Sequence, residues 1–157
     1  MPEKEGRKII TVNRKARHEY FVDDTYEAGI ALFGTEVKSL RAGQVNLKDS
    51  WCEIRDGEIY LTGAHISPYE KGNVFNRNPE RDRKLLMHRR EIMKLHGLVG
   101  RSGYTLVPLS LYFKGSNVKV EVGLCRGKKL YDKREADAKR QADRTMERYV
   151  KSGSRYD

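Results

Sequence analysis

Between Asn117 and Cys125 the chain reads NVKVEVGLC. Val118, Val120, Val122 and Leu124 fall on one side of an extended strand, and Lys119 and Glu121 fall on the other. That period of two marks a half-buried β-strand. Comparable runs lie upstream. YTLVPLSLYFKG precedes it across a KGSN turn, SWCEIRDG and EIYLTGAHI meet at Asp56–Gly57, and HEYFVDD and YEAGIALFG meet near Asp23–Asp24. Asp-Gly between two such runs is a strong hairpin signal, because a type I′ turn needs positive φ at both central residues. Helical spacing occurs twice. In GTEVKSLRAG, Val37 and Leu40 share a face, Thr35 is placed to cap and Gly43 to stop the helix. Asn78–Pro79 predicts a second start, with proline at the first helical position. That helix runs along ERDRKLLMHRREIMKLHG, with Leu85, Leu86, Ile92 and Met93 as its apolar stripe and Gly97 as its end. GLVGRSG then reads as a loop to the next strand.

The sum is about six antiparallel strands with short helices inserted, without βαβ alternation or an internal repeat. The expected fold is mainly β: a small antiparallel barrel of the oligonucleotide-binding kind, since closure removes exposed strand edges. Its boundaries are expected at 9–125, after a flexible N-terminus at 1–8 and before a basic C-terminal tail at 126–157.

Composition agrees with one domain and adds a partner. At 157 residues, 38% of them hydrophobic, the chain supports a real core, with nine Tyr and one Trp available to line it. Lys and Arg outnumber Asp and Glu by 32 to 22, a formal charge of +10. An excess of this size serves a polyanion, nucleic acid or an anionic surface. No run of 18 apolar residues exists to span a membrane. MPEKEGRK lacks the apolar segment of a secretory signal. Cys52 and Cys125 have no CxxC partner and read as buried thiols, so a cytoplasmic location is expected.

Catalytic motifs are missing: no HExxH, GxSxG or P-loop occurs. His88 and His96 stand eight apart, whereas helical metal pairs want three or four. Asp23 and Asp24 could hold Mg²⁺, but adjacent aspartates at a turn are commonly solvated. Neither a metal nor another cofactor is expected. The basic residues instead gather in NRKARH, in RDRK…HRR and in the tail, with His18, Tyr20, Tyr69, Phe75 and Tyr131 nearby as rings for unpaired bases. Glu27 is the odd carboxylate, able to accept hydrogen bonds from base amino groups or a ribose hydroxyl. The tail, 126–157, holds eleven basic and six acidic residues. Its apolar residues Ala138, Ala142, Met146 and Val150 recur every four positions, too thin a stripe to hold a helix alone. It is expected to be disordered when free and helical against a partner.

These residues also spell a resemblance. NRKARHEYF, YEAGIALFGTEVKSLRAGQVNLKDSW, RDGEIYL, RDRKLLMHRREI, GYTLVPLSLYF and KVEVGLCRGKKLYDKR follow in this order. Together they closely resemble the SmpB (SsrA-binding) family of bacteria over roughly 9–135. The resemblance implies an oligonucleotide-binding barrel that holds the tRNA-like domain of tmRNA (SsrA RNA) and delivers it to stalled ribosomes for trans-translation. It implies no enzymatic step. It implies that the tail enters the vacant mRNA channel near the decoding centre, and that elongation factor Tu and alanyl-tRNA synthetase are met indirectly through the charged RNA. By the same resemblance Asn13, Glu27 and Leu86 contact or support tmRNA. Arg14, Lys15, His18, Lys38, Arg41 and Lys84 lie in the same motifs. In the tail, Gly127, Lys128 and Lys129 match a GKK motif and Asp132, Lys133 and Arg134 a DKR motif needed on the ribosome. Tyr131 stands where some relatives have His, so its ring can stack there but cannot become cationic.

Overall fold

A computed structural model describes residues 6–69 and 76–128. Its elements, in chain order, are β1 (Arg7–Val12), α1 (Arg14–Glu19), β2 (Tyr20–Ile30), α2 (Gly34–Arg41), β3 (Val45–Asn46), β4 (Trp51–Arg55), β5 (Glu58–Thr62), β6 (His65–Ile66), β7 (Arg83–Leu86), α3 (Arg89–Ser102), β8 (Thr105–Lys114) and β9 (Asn117–Gly127). Six antiparallel strands close a ring in the order β8-β4-β5-β7-β2-β9, with β9 returning to β8. β1 lies outside the ring against β8, and β3 pairs with β6 alone. This is the mainly β barrel with short helices that the sequence predicts.

The members of the ring differ from those expected. Most of HEYFVDD and YEAGIALFG forms one strand, β2, from Tyr20 to Ile30, whose register slips by one residue between Val22 and Asp24. Asp23 is the extra residue of that bulge. A bulge bends a strand without ending it, so the aspartate pair is not a turn. The sixth place is taken by β7, inside the segment expected to be helical. Asn78 and Pro79 make a turn instead of a helix start, with Asn78 Oδ1 accepting from the Glu80 N–H at 3.0 Å. Leu85 then points inward and Leu86 outward, the alternation of a strand, and Leu85 pairs with Ile59 on one side and Ile30 on the other. The barrel needs a strand between β5 and β2, and ladder bonds plus burial of Leu85 outweigh helical propensity. The helix that follows, α3, starts only after His88 and passes through Gly97 and Gly100 to Ser102. Gly103, at φ 69°, ends it in the left-handed conformation. GLVGRSG is therefore mostly helix, and Ile92 and Leu95 form the buried face while Met93 is exposed.

The hairpin at Asp56–Gly57 is present, with φ of 51° and 78°, and β4 and β5 pair from Trp51–Thr62 to Arg55–Glu58. α2 begins at Gly34, one residue before the expected cap Thr35, and gives way at Gly43, where φ is 71°. β1 starts at Arg7, so Arg7 and Lys8, assigned from sequence to the N-terminal start, pair with Lys114 and Phe113. β9 runs to Gly127, two residues past the expected end of the strand.

The barrel interior is filled by Leu40, Leu47, Ile59, Leu61, Leu85, Leu95, Leu111, Val120 and Val122. A smaller cluster of Ala16, Val107, Leu109 and Cys125 lies under α1. This second cluster explains why the alternation of β9 fades after Val122: its outer face is covered by α1, so both faces are apolar. Gly123 fits the same picture, since a Cβ there would stand 2.8 Å from Leu109 Cδ1. Both cysteines are buried free thiols, as expected.

Candidate nucleic-acid interface

The first group of candidates sits on α1. Asn13 stands where β1 turns into the helix, and its side chain is buried. Its Oδ1 accepts from the Ala16 N–H at 3.1 Å and caps α1. Its Nδ2 donates to the carbonyls of Pro108 at 2.9 Å and Leu47 at 3.3 Å. Pro108 stands at a bulge in β8, where the register with β9 shifts between Pro108 and Ser110. The amide is thus spent on backbone, and what Asn13 does is hold α1 on the barrel. The helix carries Arg14, Lys15 and His18 into solvent. Lys15 Nζ lies 2.6 Å from Asp49 and Arg17 pairs with Glu121 at 2.9 Å.

The second group surrounds Glu27 on β2. Glu27 Oε2 accepts from Arg7 Nη2 at 2.9 Å and from the Tyr112 hydroxyl, and Oε1 accepts from Lys114 Nζ at 3.2 Å. The Arg7 guanidinium also lies over the Tyr112 ring, 4.6 Å from its centre. Glu27, Lys84, Leu86, His88 and Lys119 line one open cleft with Gly29 in its wall. A Cβ at Gly29 would stand 3.2 Å from Leu86 Cβ, so glycine lets Leu86 lie close against the strand. Leu86 is 55% exposed, which removes it from the apolar stripe that the sequence assigns it. Lys84 is exposed and faces Glu58 at 3.5 Å.

The Tyr112 hydrogen bond, aided by Lys114 and Arg7 and opposed by desolvation, holds the Glu27 carboxyl below the usual carboxylate range. A depressed folded value stabilises the protein above the unfolded value, about 4.3, and the stabilisation is lost as pH falls through the folded one. Glu27→Gln is therefore expected to flatten the loss of stability as pH falls below about 5. Urea unfolding across that range measures it, and an unchanged slope would count against the network.

The remaining candidates connect these groups. Arg41 lies 5.7 Å over the Phe113 ring and shares a depression with Gly6, Arg7, Lys8 and Gly115. Arg7 thereby links the Arg41 depression to the Glu27 cleft. Lys38 lies 5.3 Å over the Tyr69 ring. The tail leaves the barrel beside α1: Gly127 pairs with Tyr20, and Lys128 Nζ donates to the Arg17 carbonyl at 3.5 Å. Lys129, Tyr131, Asp132, Lys133 and Arg134 lie outside the described residues, as does Phe75.

Comparison with known proteins decides the family. The family model described as SmpB protein matches residues 10–152. The chain belongs to the SmpB family. It is 57% identical over 152 residues to the SsrA-binding protein of Acetivibrio thermocellus, covering 97% of this chain and 99% of that one. It is 56% identical over 156 residues to the SsrA-binding protein of Clostridium botulinum strain Hall, covering 99% and 100%. A solved chain described as "tmRNA-SmpB: a journey to the center of the bacterial ribosome" superposes with a TM-score of 0.65 at 52% identity, covering 77% of this chain and 85% of that chain.

On this SmpB barrel the basic segment expected on one helix is divided. Arg89, Arg90 and Lys94 are exposed on α3 and Lys84 on β7, but Arg83 is buried completely. Arg83 Nε donates to Glu36 Oε2 at 2.8 Å, and Arg81 also reaches Glu36. Two of the cations counted toward RNA thus serve the fold. Asp23 and Asp24 do not converge either: Asp23 pairs with Arg126 at 2.9 Å, while Asp24 accepts from the Tyr26 hydroxyl at 3.2 Å. Arg7, Tyr112 and Lys114 escape sequence reasoning altogether, because they reach Glu27 from 20, 85 and 87 positions away. Trp51, expected in the core, is 44% exposed. Strand parity was the available signal there: Cys52 and Ile54 face inward, so Trp51 shares the outer face with Glu53 and Arg55.

Proposed function

We propose that this protein binds tmRNA and acts with it on the ribosome in trans-translation, rescuing stalled ribosomes and tagging their nascent chains. The observation that carries this reading is the match to SmpB along nearly the whole chain. The curated relatives are named SsrA-binding proteins, and the solved neighbour is described as tmRNA-SmpB in the bacterial ribosome. The barrel holds the tRNA-like domain through two adjoining surfaces. One is α1, with Arg14, Lys15 and His18 positioned by Asn13. The other is the cleft of Glu27, Lys84 and Leu86, continued by Arg7 to Arg41, with Lys38 nearby on α2. The carboxylate of Glu27 keeps Arg7 and Lys114 in place and exchanges a bond with the RNA when it arrives. Gly127 and Lys128 set the root of a tail whose Lys129, Tyr131, Asp132, Lys133 and Arg134 meet ribosomal RNA at the decoding centre.

The role is binding and delivery, with no reaction of its own, and it is performed in the cytoplasm. Elongation factor Tu and alanyl-tRNA synthetase are met only through the charged tmRNA. Among the described residues no helix is long and apolar enough to cross a membrane, and no three His, Cys, Asp or Glu side chains are grouped so as to hold a metal ion.

Recovery of bound RNA from cells tests the proposal. The tagged protein is purified at low salt, since phosphate contacts weaken steeply with salt, and its RNA is sequenced. tmRNA is expected to dominate over its share of total RNA. A mixture without tmRNA enrichment would instead make this a generic RNA-binding or ribosome-associated barrel.

A further inference from the structure

The sole tryptophan, Trp51, lies at the surface beside a tight corner of the chain. Asp49 precedes it at φ 61°, a strained value for a residue other than glycine. Ser50 is buried and donates its hydroxyl to the Leu47 carbonyl. Gly63, at φ 80°, stands behind the indole, and a Cβ there would come within 3.0 Å of Trp51 Cζ3 and 3.2 Å of the Asp49 carbonyl oxygen. The indole thus packs closely over Gly63, beside the left-handed turn at Asp49, while remaining 44% exposed. Core packing does not account for that arrangement.

In front of the indole lies an open depression lined by Lys15, Glu19, Tyr20, Asp49 and Thr105 as well as Trp51. Its volume, about 350 Å³, is at the small end of ligand sites, roughly 300–1,000 Å³. Tyr20 supplies a second ring. Lys15 supplies a cation that is half held by Asp49 at 2.6 Å. Arg14 and His18 are exposed on the same short helix. Glu19 is exposed and faces the depression as a carboxylate, an acceptor suited to an exocyclic amino group. An aromatic platform with cations at its rim and an acceptor at its edge fits an unpaired nucleobase with its phosphate.

We infer that Trp51 is a stacking platform for one unpaired base of the bound RNA, with Tyr20 beside it, Lys15 on the phosphate and Glu19 at the base edge. The inference rests on the RNA-binding reading above and adds a site to it.

Because Trp51 is the only tryptophan, its fluorescence reports this site alone. The full-length protein is titrated with a transcript of the tRNA-like domain of tmRNA while anisotropy of a labelled copy reports binding independently. Quenching of Trp51 in step with binding is expected. Trp51→Leu, which keeps apolar bulk but removes the π face, is expected to weaken affinity roughly 5- to 150-fold, the range for losing one stacked base. Trp51→Phe is expected to stay within about threefold of the parent, and thermal melts check that both variants fold. Binding by anisotropy with unchanged Trp51 emission, or equal affinity for the Leu and Phe variants, would overturn the platform and leave the RNA-binding reading standing. Absence of binding by anisotropy would overturn both.

Discussion

Glu36→Ala is expected to lower folding stability by about 3–5 kcal/mol, the cost of leaving a buried charge without its partner. Glu36 sits on α2 and is almost fully buried. Its carboxylate receives Arg81 and Arg83 together, and also the Phe33 N–H at 2.9 Å, which closes the start of α2. Arg83 has no exposure. Its other nitrogens donate to the Ala64 carbonyl at 2.7 Å and the Pro79 carbonyl at 2.9 Å. The cluster therefore ties α2, the turn at Pro79 and the segment before β6 to the first residue of β7. Burial alone would push the Glu36 carboxyl up, but the Arg81 guanidinium, the Phe33 N–H and the Arg83 guanidinium outweigh it, and the net position is below the ordinary range. The carboxylate is thus charged at neutral pH, and its stabilisation, present above the unfolded value, is lost as pH falls through the folded one. For a chain of this size the loss corresponds to roughly 6–20 °C in melting temperature. A calorimetric melt measures it. Two companions separate charge from packing. Arg81→Met, at a cation that is partly exposed, should cost clearly less. Adding Arg83→Met to Glu36→Leu should recover much of the loss, because an apolar replacement of a whole buried pair is often neutral or better. If Glu36→Ala melts with the parent, the cluster carries little of the fold.

The same cluster shows where sequence reasoning stops. Local pattern was enough for β9, whose valines alternate without interruption, and for the β4–β5 hairpin, whose turn residues Asp56 and Gly57 have one good backbone solution. It was not enough for 78–97. There KLL reads equally well as one turn of a helix or two steps of a strand, and the decision belongs to neighbours distant in sequence: Ile59 on one side, Gly29 and Ile30 on the other. Charge was misleading in the same place. Arg83 looks like its basic neighbours and is an interior residue, because its partner Glu36 lies 47 positions away. For the candidate interface, the motif residues were legible as residues but not as an arrangement. Asn13 looks like a polar contact and is a cap. Leu86 looks like core and is surface. Glu27 looks isolated and is clamped from three sides by β1 and β8. Trp51 was legible in principle, since its position in β4 sets its side of the sheet.

Ending the chain after Leu130 is expected to abolish tagging of stalled nascent chains while tmRNA affinity stays within about threefold of the parent, an allowance for the eight basic and six acidic residues removed. The physical ground is that the barrel completes itself before the tail begins. β9 closes its pairing with β2 at Gly127 opposite Tyr20, and Lys128 reaches the Arg17 carbonyl and lies 5.3 Å over the Phe21 ring. A cut after Leu130 keeps all of these contacts, together with both proposed RNA surfaces. The deleted segment carries Asp132, Lys133, Arg134 and the thin stripe of Ala138, Ala142, Met146 and Val150, an amount of apolar surface that needs a partner before a helix is worthwhile. Its removal should therefore leave the melting temperature unchanged. Binding adds a second check, because the slope of log affinity on log salt counts the phosphates neutralised. If the barrel alone grips tmRNA, that slope is the same with and without the tail. Tagging is then read in a cell-free translation of a message without a stop codon, where the truncated protein should give the background level. A truncated protein that loses tmRNA, or that tags at the parent's level, would show that the grip on RNA and the action on the ribosome are not divided between barrel and tail.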